Sequence, residues 1–417
     1  MMNAATIQQR ILKKIKRVFG PGLVTGASDD DPSGIATYSQ AGAMFGLDTL
    51  WTAVFTFPLM AALQEMCARI GLVTNKGLIG AIRIYYPKWI VRLIVVVSFT
   101  AIVLNISADL AGMGAVCNML IPSVPAPFFS IGFGVVLSYF IVVLPYAKIS
   151  MYLKWFCLSL LCYIIVPFLL QQDWKAVLHA AFVPKLIWSR EYLLIVIGIL
   201  GTTISPYLFF WQTSMEVEEV EDRKLVVDKR IIQGMQKDIR SGIFFSNLVF
   251  FFIILSTGTV LHRSNVNGIE TVDQAAMALK PLAGDLSYLL FAIGVIGTGL
   301  LAVPVLAGSL SYMVSETMSW QEGLNKKFHE AKGFYFVMVV SILTALCINF
   351  TGISPVRALV LTAIMYGLTA PLLIFVILLV SNNKKIMGDY TNSTWSNIMG
   401  ITAFLLMVAA GIMLVFM

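Results

Sequence analysis

Runs of about 20 predominantly apolar residues, each closed by charged or turn-forming residues, recur from one end of this chain to the other. A helix needs about 20 residues to cross the roughly 30 Å hydrocarbon core of a bilayer, so the pattern predicts membrane-spanning helices. Eleven spans are placed near 20–45, 47–73, 93–119, 128–147, 152–170, 191–215, 242–261, 286–318, 334–350, 355–380 and 395–416. The first is expected to stay in the mature protein. It is too long for a cleavable signal, carries three aspartates and has no small-residue cleavage site.

Composition points the same way. Of 417 residues, 58% are hydrophobic and 12% charged, about half the roughly 25% usual for soluble domains, and the mean hydropathy is +0.85. A soluble fold is excluded, and the class expected is an all-α, multi-pass membrane protein. The net charge of +7 is accounted for by topology. With the basic tail 1–19 inside, 22 of the 29 Lys and Arg fall on the cytoplasmic side and six on the other, as the positive-inside rule requires. The N-terminus is therefore expected in the cytoplasm and, with an odd number of spans, Met417 outside. No nucleic-acid partner is needed; the lipid bilayer is the partner implied. The charged stretch Glu216 to Arg240 reads as a solvated cytoplasmic helix or loop.

Cys67, Cys117, Cys157, Cys162 and Cys347 all lie in apolar stretches without CxxC spacing and read as core thiols. His179, His262 and His329 all fall in loops. No phosphate loop, H-E-x-x-H pair or nucleophile elbow is present, so no enzyme activity and no cofactor are expected.

Two interruptions carry the candidate chemistry. Asp29-Asp30-Asp31-Pro32-Ser33-Gly34 stands about halfway through span 1. Each carboxylate there costs at least ~2.5 kcal/mol on insertion scales, so such residues face a protein-lined or watery cavity and mark ion or substrate paths. The competing reading places the triplet at a membrane surface, capping a helix that starts at Pro32. Span 6 is broken at Gly201-Thr202-Thr203-Ile204-Ser205-Pro206. Paired broken helices in corresponding positions of two halves are the signature of inverted-repeat transporters with a midplane site. Two five-helix repeats, 20–170 and 191–380, with an extra span at 395–416, follow from that reading. A proline inside a helix frees the carbonyl four residues earlier, here those of Ser28 and Thr202. With Asp31, Asp30 and the Ser205 or Thr202 hydroxyls, these make an all-oxygen set suited to hard divalent cations.

The chain also resembles a known family. Gly20-Pro21-Gly22, eight residues, then Asp31-Pro32-x-x-x-Ala36-Thr37-x-x-Gln40-Ala41-Gly42 is similar to the first span of the Nramp metal-ion transporters. Ala68-Arg69-Ile70-Gly71-Leu72-Val73-Thr74, Asp109-Leu110-Ala111 and Lys384-Lys385-x-Met387-Gly388 extend the resemblance to about residue 390. It implies a LeuT-like fold with spans 1 and 6 unwound. The family's Asp-Pro-Gly-Asn becomes Asp31-Pro32-Ser33-Gly34, keeping the ligand Asp and losing the ligand Asn. Its Ala-Thr-Val-Met-Pro-His becomes Thr202-Thr203-Ile204-Ser205-Pro206-Tyr207, keeping the carbonyl ligand at Thr202 and replacing the thioether by Ser205. Losing the soft ligand removes a reason to prefer Mn2+, Fe2+ or Cd2+. The small Gly34 and Ser205 with the extra Asp29 and Asp30 imply a roomier, more acidic site for a partly hydrated ion.

That pattern resembles the divergent Nramp-related magnesium transporters, and implies Mg2+, with Mn2+ also accepted, as transported substrate. The family's two span-6 histidines become Tyr207 and Gln212, and its acid after Asp109 becomes Gly112, which implies uptake without proton coupling. The alternative is the family's usual proton-coupled Mn2+ or Fe2+ symport with Asp109 as carrier. Asp109 could equally pair with Arg69, while Gln40 and Gln64 could face the cavity or hold unwound backbone. A monomer is expected.

Overall fold

The computed structural model describes residues 25–26, 28–144, 158–264 and 268–416. The tail 1–19, the Gly20-Pro21-Gly22 motif, Lys148, Lys154 and Cys157 lie outside them. The described residues are helical, without strands. The main helices are α1 (Pro32–Phe45), α2 (Trp51–Thr74), α3 (Lys88–Leu120), α4 (Ala126–Val143), α5 (Cys162–Leu169) and α6 (Arg190–Thr203). They continue with α7 (Pro206–Arg223), α8 (Lys229–Val260), α9 (Ser287–Met318), α10 (Lys332–Ile348), α11 (Pro355–Asn382) and α12 (Thr394–Phe416). Eight helical stretches among the described residues are long and apolar enough to cross a bilayer.

The helix ends depart from the apolar runs in three places. First, of the helix or loop expected over Glu216 to Arg240, most is helix: α7 runs on to Arg223 and α8 begins at Lys229. Lys224 closes α7 in the left-handed conformation (φ 49°), and the Asp228 carboxylate accepts from the N–H groups of Arg230 and Ile231. That cap starts α8 well before its apolar window, because capping is indifferent to hydropathy. Second, α3 starts at Lys88, directly after Pro87, earlier than the apolar run. Third, short helices Leu78–Tyr85 and Trp174–Phe182 lie in the connections between the expected spans.

Burial separates the helices by role. α1, α6 and the first half of α7 are almost wholly buried, whereas α4 and α12 turn Phe128, Val135, Tyr139, Trp395 and Leu405 outward. Large apolar side chains exposed this continuously need an apolar solvent, which lipid supplies. The central helix pair is α1 and α8, held by glycines because small residues let backbones approach in a membrane. A Cβ on Gly42 would stand 2.0 Å from Thr257 Oγ1 and 2.6 Å from the Ile254 carbonyl, and one on Gly26 2.4 Å from the Gly242 carbonyl. Between these seams Tyr38 stacks on Phe250, ring centroids 4.1 Å apart.

Because backbone cannot yield as a flexible side chain can, Gly42→Ala is expected to lower stability by about 1–3 kcal/mol. Thermal unfolding in detergent checks this, and an unchanged midpoint would contradict the close α1–α8 crossing.

Candidate functional site

The first break forms where Asp31, in an extended conformation (φ −70°, ψ 171°), caps α1. Its Oδ1 accepts from the Gly34 N–H at 2.7 Å, and Pro32 takes the first helical position, where a missing N–H leaves no bond unmade. The capping reading was therefore right about the bond, but the triplet is buried: Asp29 is 1% exposed, Asp30 and Asp31 3%. The second break is only Ile204 and Ser205, between the end of α6 at Thr203 and the start of α7 at Pro206.

Two tyrosines tie the breaks together. Tyr207 donates its hydroxyl to the Ser28 carbonyl at 2.9 Å, and the Thr202 hydroxyl lies 3.1 Å from that of Tyr38. The Ser28 and Thr202 carbonyls, expected to be unpaired, have found donors: Ser205 Oγ donates to the Thr202 carbonyl and lies 3.2 Å from that of Gly201. In a low dielectric a freed carbonyl takes the nearest hydroxyl. Each carbonyl has two lone pairs, so one donor fixes its direction without using its whole accepting capacity.

The third side comes from α3. Asn105 Nδ2 donates to Asp31 Oδ2 at 2.9 Å and reaches Asp109 Oδ2 at 3.5 Å, so one amide bridges both carboxylates. On the other flank Ser246 of α8 contacts Asp29 Oδ2 at 2.8 Å and Asp30 Oδ1 at 3.3 Å. Tyr366 of α11 completes the wall, its ring centroid 5.9 Å from that of Tyr207. Asp29 Oδ1, Asn105 Oδ1, Asp109 Oδ1 and the Tyr366 hydroxyl are buried without a hydrogen-bond partner among the described residues. Among the described residues no ion pair involves any of the four acids. Nor do three His, Cys, Asp or Glu side chains converge there as a metal cage. The donor set is thus carboxylate, amide, hydroxyl and carbonyl oxygen, the set that hard cations take.

Asp29, Asp30, Asp31, Gly34, Asp109, Thr202, Ser205, Tyr207 and the Ser28 carbonyl all belong to this cluster. Gln40 stands apart: its Oε1 accepts from the Ile269 N–H at 2.7 Å, tying α1 to the segment before Val272. Asp109 does not pair with Arg69, whose guanidinium bonds Asn392 instead. Gln64 is buried with both amide atoms unpartnered. A Cβ on Gly112 would stand 3.1 Å from a Leu359 methyl, which would have to shift by a few tenths of an ångström. Asn105, Ser246 and Tyr366 were missed. Asn105 was findable, since it precedes Asp109 by four residues and so shares its helix face. Nothing in the local sequence marks Ser246 or Tyr366.

Two interrupted helices cross-linked at a buried acidic cluster inside a membrane helix bundle define a transport protein of the broken-helix class. The chain matches the family described as natural resistance-associated macrophage protein-like over residues 22–417, and it belongs to this Nramp family. Members of that family are transporters, not enzymes. A protein named divalent metal cation transporter MntH from Caldanaerobacter subterraneus subsp. tengcongensis is 25% identical over 410 residues, covering 97% of this chain and 94% of its own. Its namesake in Klebsiella pneumoniae is 24% identical over 393 residues, covering 93% and 91%. Among solved structures, the Eremococcus coleocola manganese transporter superposes with a TM-score of 0.73 at 17% identity, covering 96% of this chain and 86% of that one. MhsT bound to L-phenylalanine gives 0.61 at 12% identity, covering 95% and 97%. Both likenesses concern the fold.

Losing the Tyr207 hydroxyl removes the donor to Ser28, so Tyr207→Phe is expected to cost about 1–3 kcal/mol. Tyr366→Phe removes an unpartnered hydroxyl and should leave stability unchanged or raise it. Thermal midpoints of the two variants in detergent decide, and equal losses would contradict the hydrogen-bond assignment.

Proposed function

We propose that this protein moves hard divalent cations, Mg2+ first and Mn2+ as well, across the cell membrane by alternating access. The observation that carries the reading is the all-oxygen lining around Asp31, with Gly34 and Ser205 where the family motif has ligating Asn and thioether side chains. The cation, as substrate, would be held by Asp31, Asp30 and the carbonyls of Thr202 and Ser28, with Gly34 and Ser205 leaving room for retained water. Asp109, Asp29 and Tyr207 would line the path. Asn105 positions the Asp31 carboxylate.

Counting the broken first span, the eight long helical stretches and the apolar helices Ser159–Leu169 and Lys332–Ile348 supports eleven spans in two inverted five-helix repeats plus α12. The cation count supports a cytoplasmic N-terminus and an outside C-terminus. The protein acts as a monomer. Entry of a divalent cation into an interior-negative cell releases about 4.6 kcal/mol per 100 mV, from roughly 2.3 per elementary charge. Tyr207 and Gln212 in place of the family's histidines, and Gly112 in place of its acid, support uptake without stoichiometric proton movement. The names of the relatives and the buried Asp109 favour a second reading, proton-coupled Mn2+ symport.

Calorimetry on the purified protein with Mg2+, Mn2+ and Cd2+ tests the assignment. Mg2+ and Mn2+ are expected to bind and Asp31→Ala to weaken both more than about tenfold (~1.4 kcal/mol); tight Cd2+ binding with no Mg2+ signal would sink it. In proteoliposomes Mg2+ entry should leave an internal pH dye unchanged, whereas acidification that tracks the cation would favour symport. Ser205→Met restores a soft ligand, and should raise Cd2+ affinity about tenfold while weakening Mg2+. Unaltered selectivity would separate Ser205 from the site.

A further inference from the structure

Running on from Ser205, whose hydroxyl belongs to the site above, the inner half of span 6 carries a polar stripe that the site does not use. Ser205, Gln212, Glu216 and Glu219 follow at intervals of seven, four and three residues, which sets them on one face of α7. Ser205, Gln212 and Glu216 are buried and Glu219 half-buried. Facing the stripe is Thr25, on the span-1 segment before the break. Thr25 Oγ1 donates to Gln212 Oε1 at 2.5 Å, and Gln212 Nε2 donates to Glu216 Oε1 at 2.8 Å. One hydrogen-bonded chain therefore latches the two inner half-helices together. α7 itself is braced from behind, since a Cβ on Gly71 of α2 would stand 2.3 Å from the Thr213 carbonyl and 3.2 Å from Glu216 Cβ.

Among the described residues no salt bridge reaches Glu216. Glu219 and Asp238 have its own sign, and Arg223, the opposite charge nearby, is bound to Glu219 at 2.5 Å. A buried carboxylate is costly, and ionisable residues within membrane segments mark ion paths and proton relays.

We propose that Glu216, with the Gln212 amide oxygen and the Thr25 hydroxyl, is a second, exit-side station for the divalent cation, between Asp31 and the cytoplasmic mouth at Glu219 and Asp238. This deepens the transport reading and rests on it and on its orientation. The three groups are oxygen donors, and water fills the remaining positions of a six-coordinate hard cation. The station also rearranges the bond between the two half-helices. A side-chain amide has one oxygen and one NH2, and with Nε2 on Glu216 its oxygen is left to Thr25. A cation arriving at Glu216 repels the NH2 and attracts the oxygen. The amide turns over and the Thr25 hydroxyl, an acceptor as well as a donor, turns its lone pairs to the cation, so the direct Thr25–Gln212 bond is exchanged for coordination as the cation arrives.

Mn2+ is the probe, counted per chain by electron paramagnetic resonance on the purified full-length protein, with Mn2+ uptake measured in proteoliposomes. Glu216→Gln keeps the size of the side chain and an acceptor for Gln212 Nε2 while removing the charge. Asp31→Ala is expected to retain one weaker Mn2+ site, and the double variant to lose it. Glu216→Gln alone should leave the Asp31 site within twofold of its parent affinity and reduce uptake tenfold or more. A Glu216→Gln protein with the parent's Mn2+ count, or with the parent's uptake rate, overturns the station and leaves Glu216 a protonated structural acid. Failure of the transport reading itself has a different signature: Asp31→Ala, rather than Glu216→Gln, would leave Mn2+ binding and uptake at parental values.

Discussion

A backbone carbonyl released in the middle of a membrane must find a donor, and this structure is organised around two such carbonyls. Pro32 and Pro206 cannot complete the helices they interrupt, so the oxygens of Ser28 and Thr202 are set loose where no solvent water is at hand. Tyr207 answers the first and Ser205 the second, while Tyr38 meets Thr202 from the opposite direction. The Tyr207 and Tyr38 bonds run from one broken helix to the other, whereas Ser205 closes its own interruption. At Ser28, satisfying the backbone and bringing the two interruptions together are consequently one event.

The acids are governed by the same scarcity. Asp29, Asp30, Asp31 and Asp109 are surrounded by neutral donors, a serine on one flank and an asparagine amide on the other. An arginine in that position would satisfy them permanently and close the site to any mobile charge. Amide and hydroxyl groups orient the carboxylates without neutralising them, which leaves the cluster able to exchange its counter-charge. The same logic recurs one helical stripe further in, at Gln212 and Glu216.

What the sequence disclosed follows from the range of the interactions concerned. Span positions are set by the thickness of a bilayer and the breaks by local chain chemistry, so both could be read from runs of apolar residues and from Asp-Pro and Ser-Pro steps. Helix ends were less legible, because Asp228 starts α8 by a hydrogen bond to two amides, regardless of the charged residues that follow. The walls of the site were least legible of all. Ser246 and Tyr366 reach it only because α8 and α11 pack beside α1, and a lone hydroxyl in an apolar run looks the same whether it caps a carboxylate or bonds its own helix. The expected open carbonyls failed for a related reason, since the hydroxyls that occupy them stand on the opposite broken helix or on the interruption itself.

The two glycine seams between span 1 and α8 constrain how the first span can move. Gly26 meets Gly242 before the break, and Gly42 meets Ile254 and Thr257 after it, both at backbone contact. Sliding span 1 by even one residue would drive a Cβ into a carbonyl at one seam or the other, so translation along α8 is blocked. Between the seams the helix is interrupted at Asp30 and Asp31. The protein has in effect pinned a lever at both arms and left its elbow at the cluster of acids, so that any bending of the lever is felt first by the groups that hold the charge.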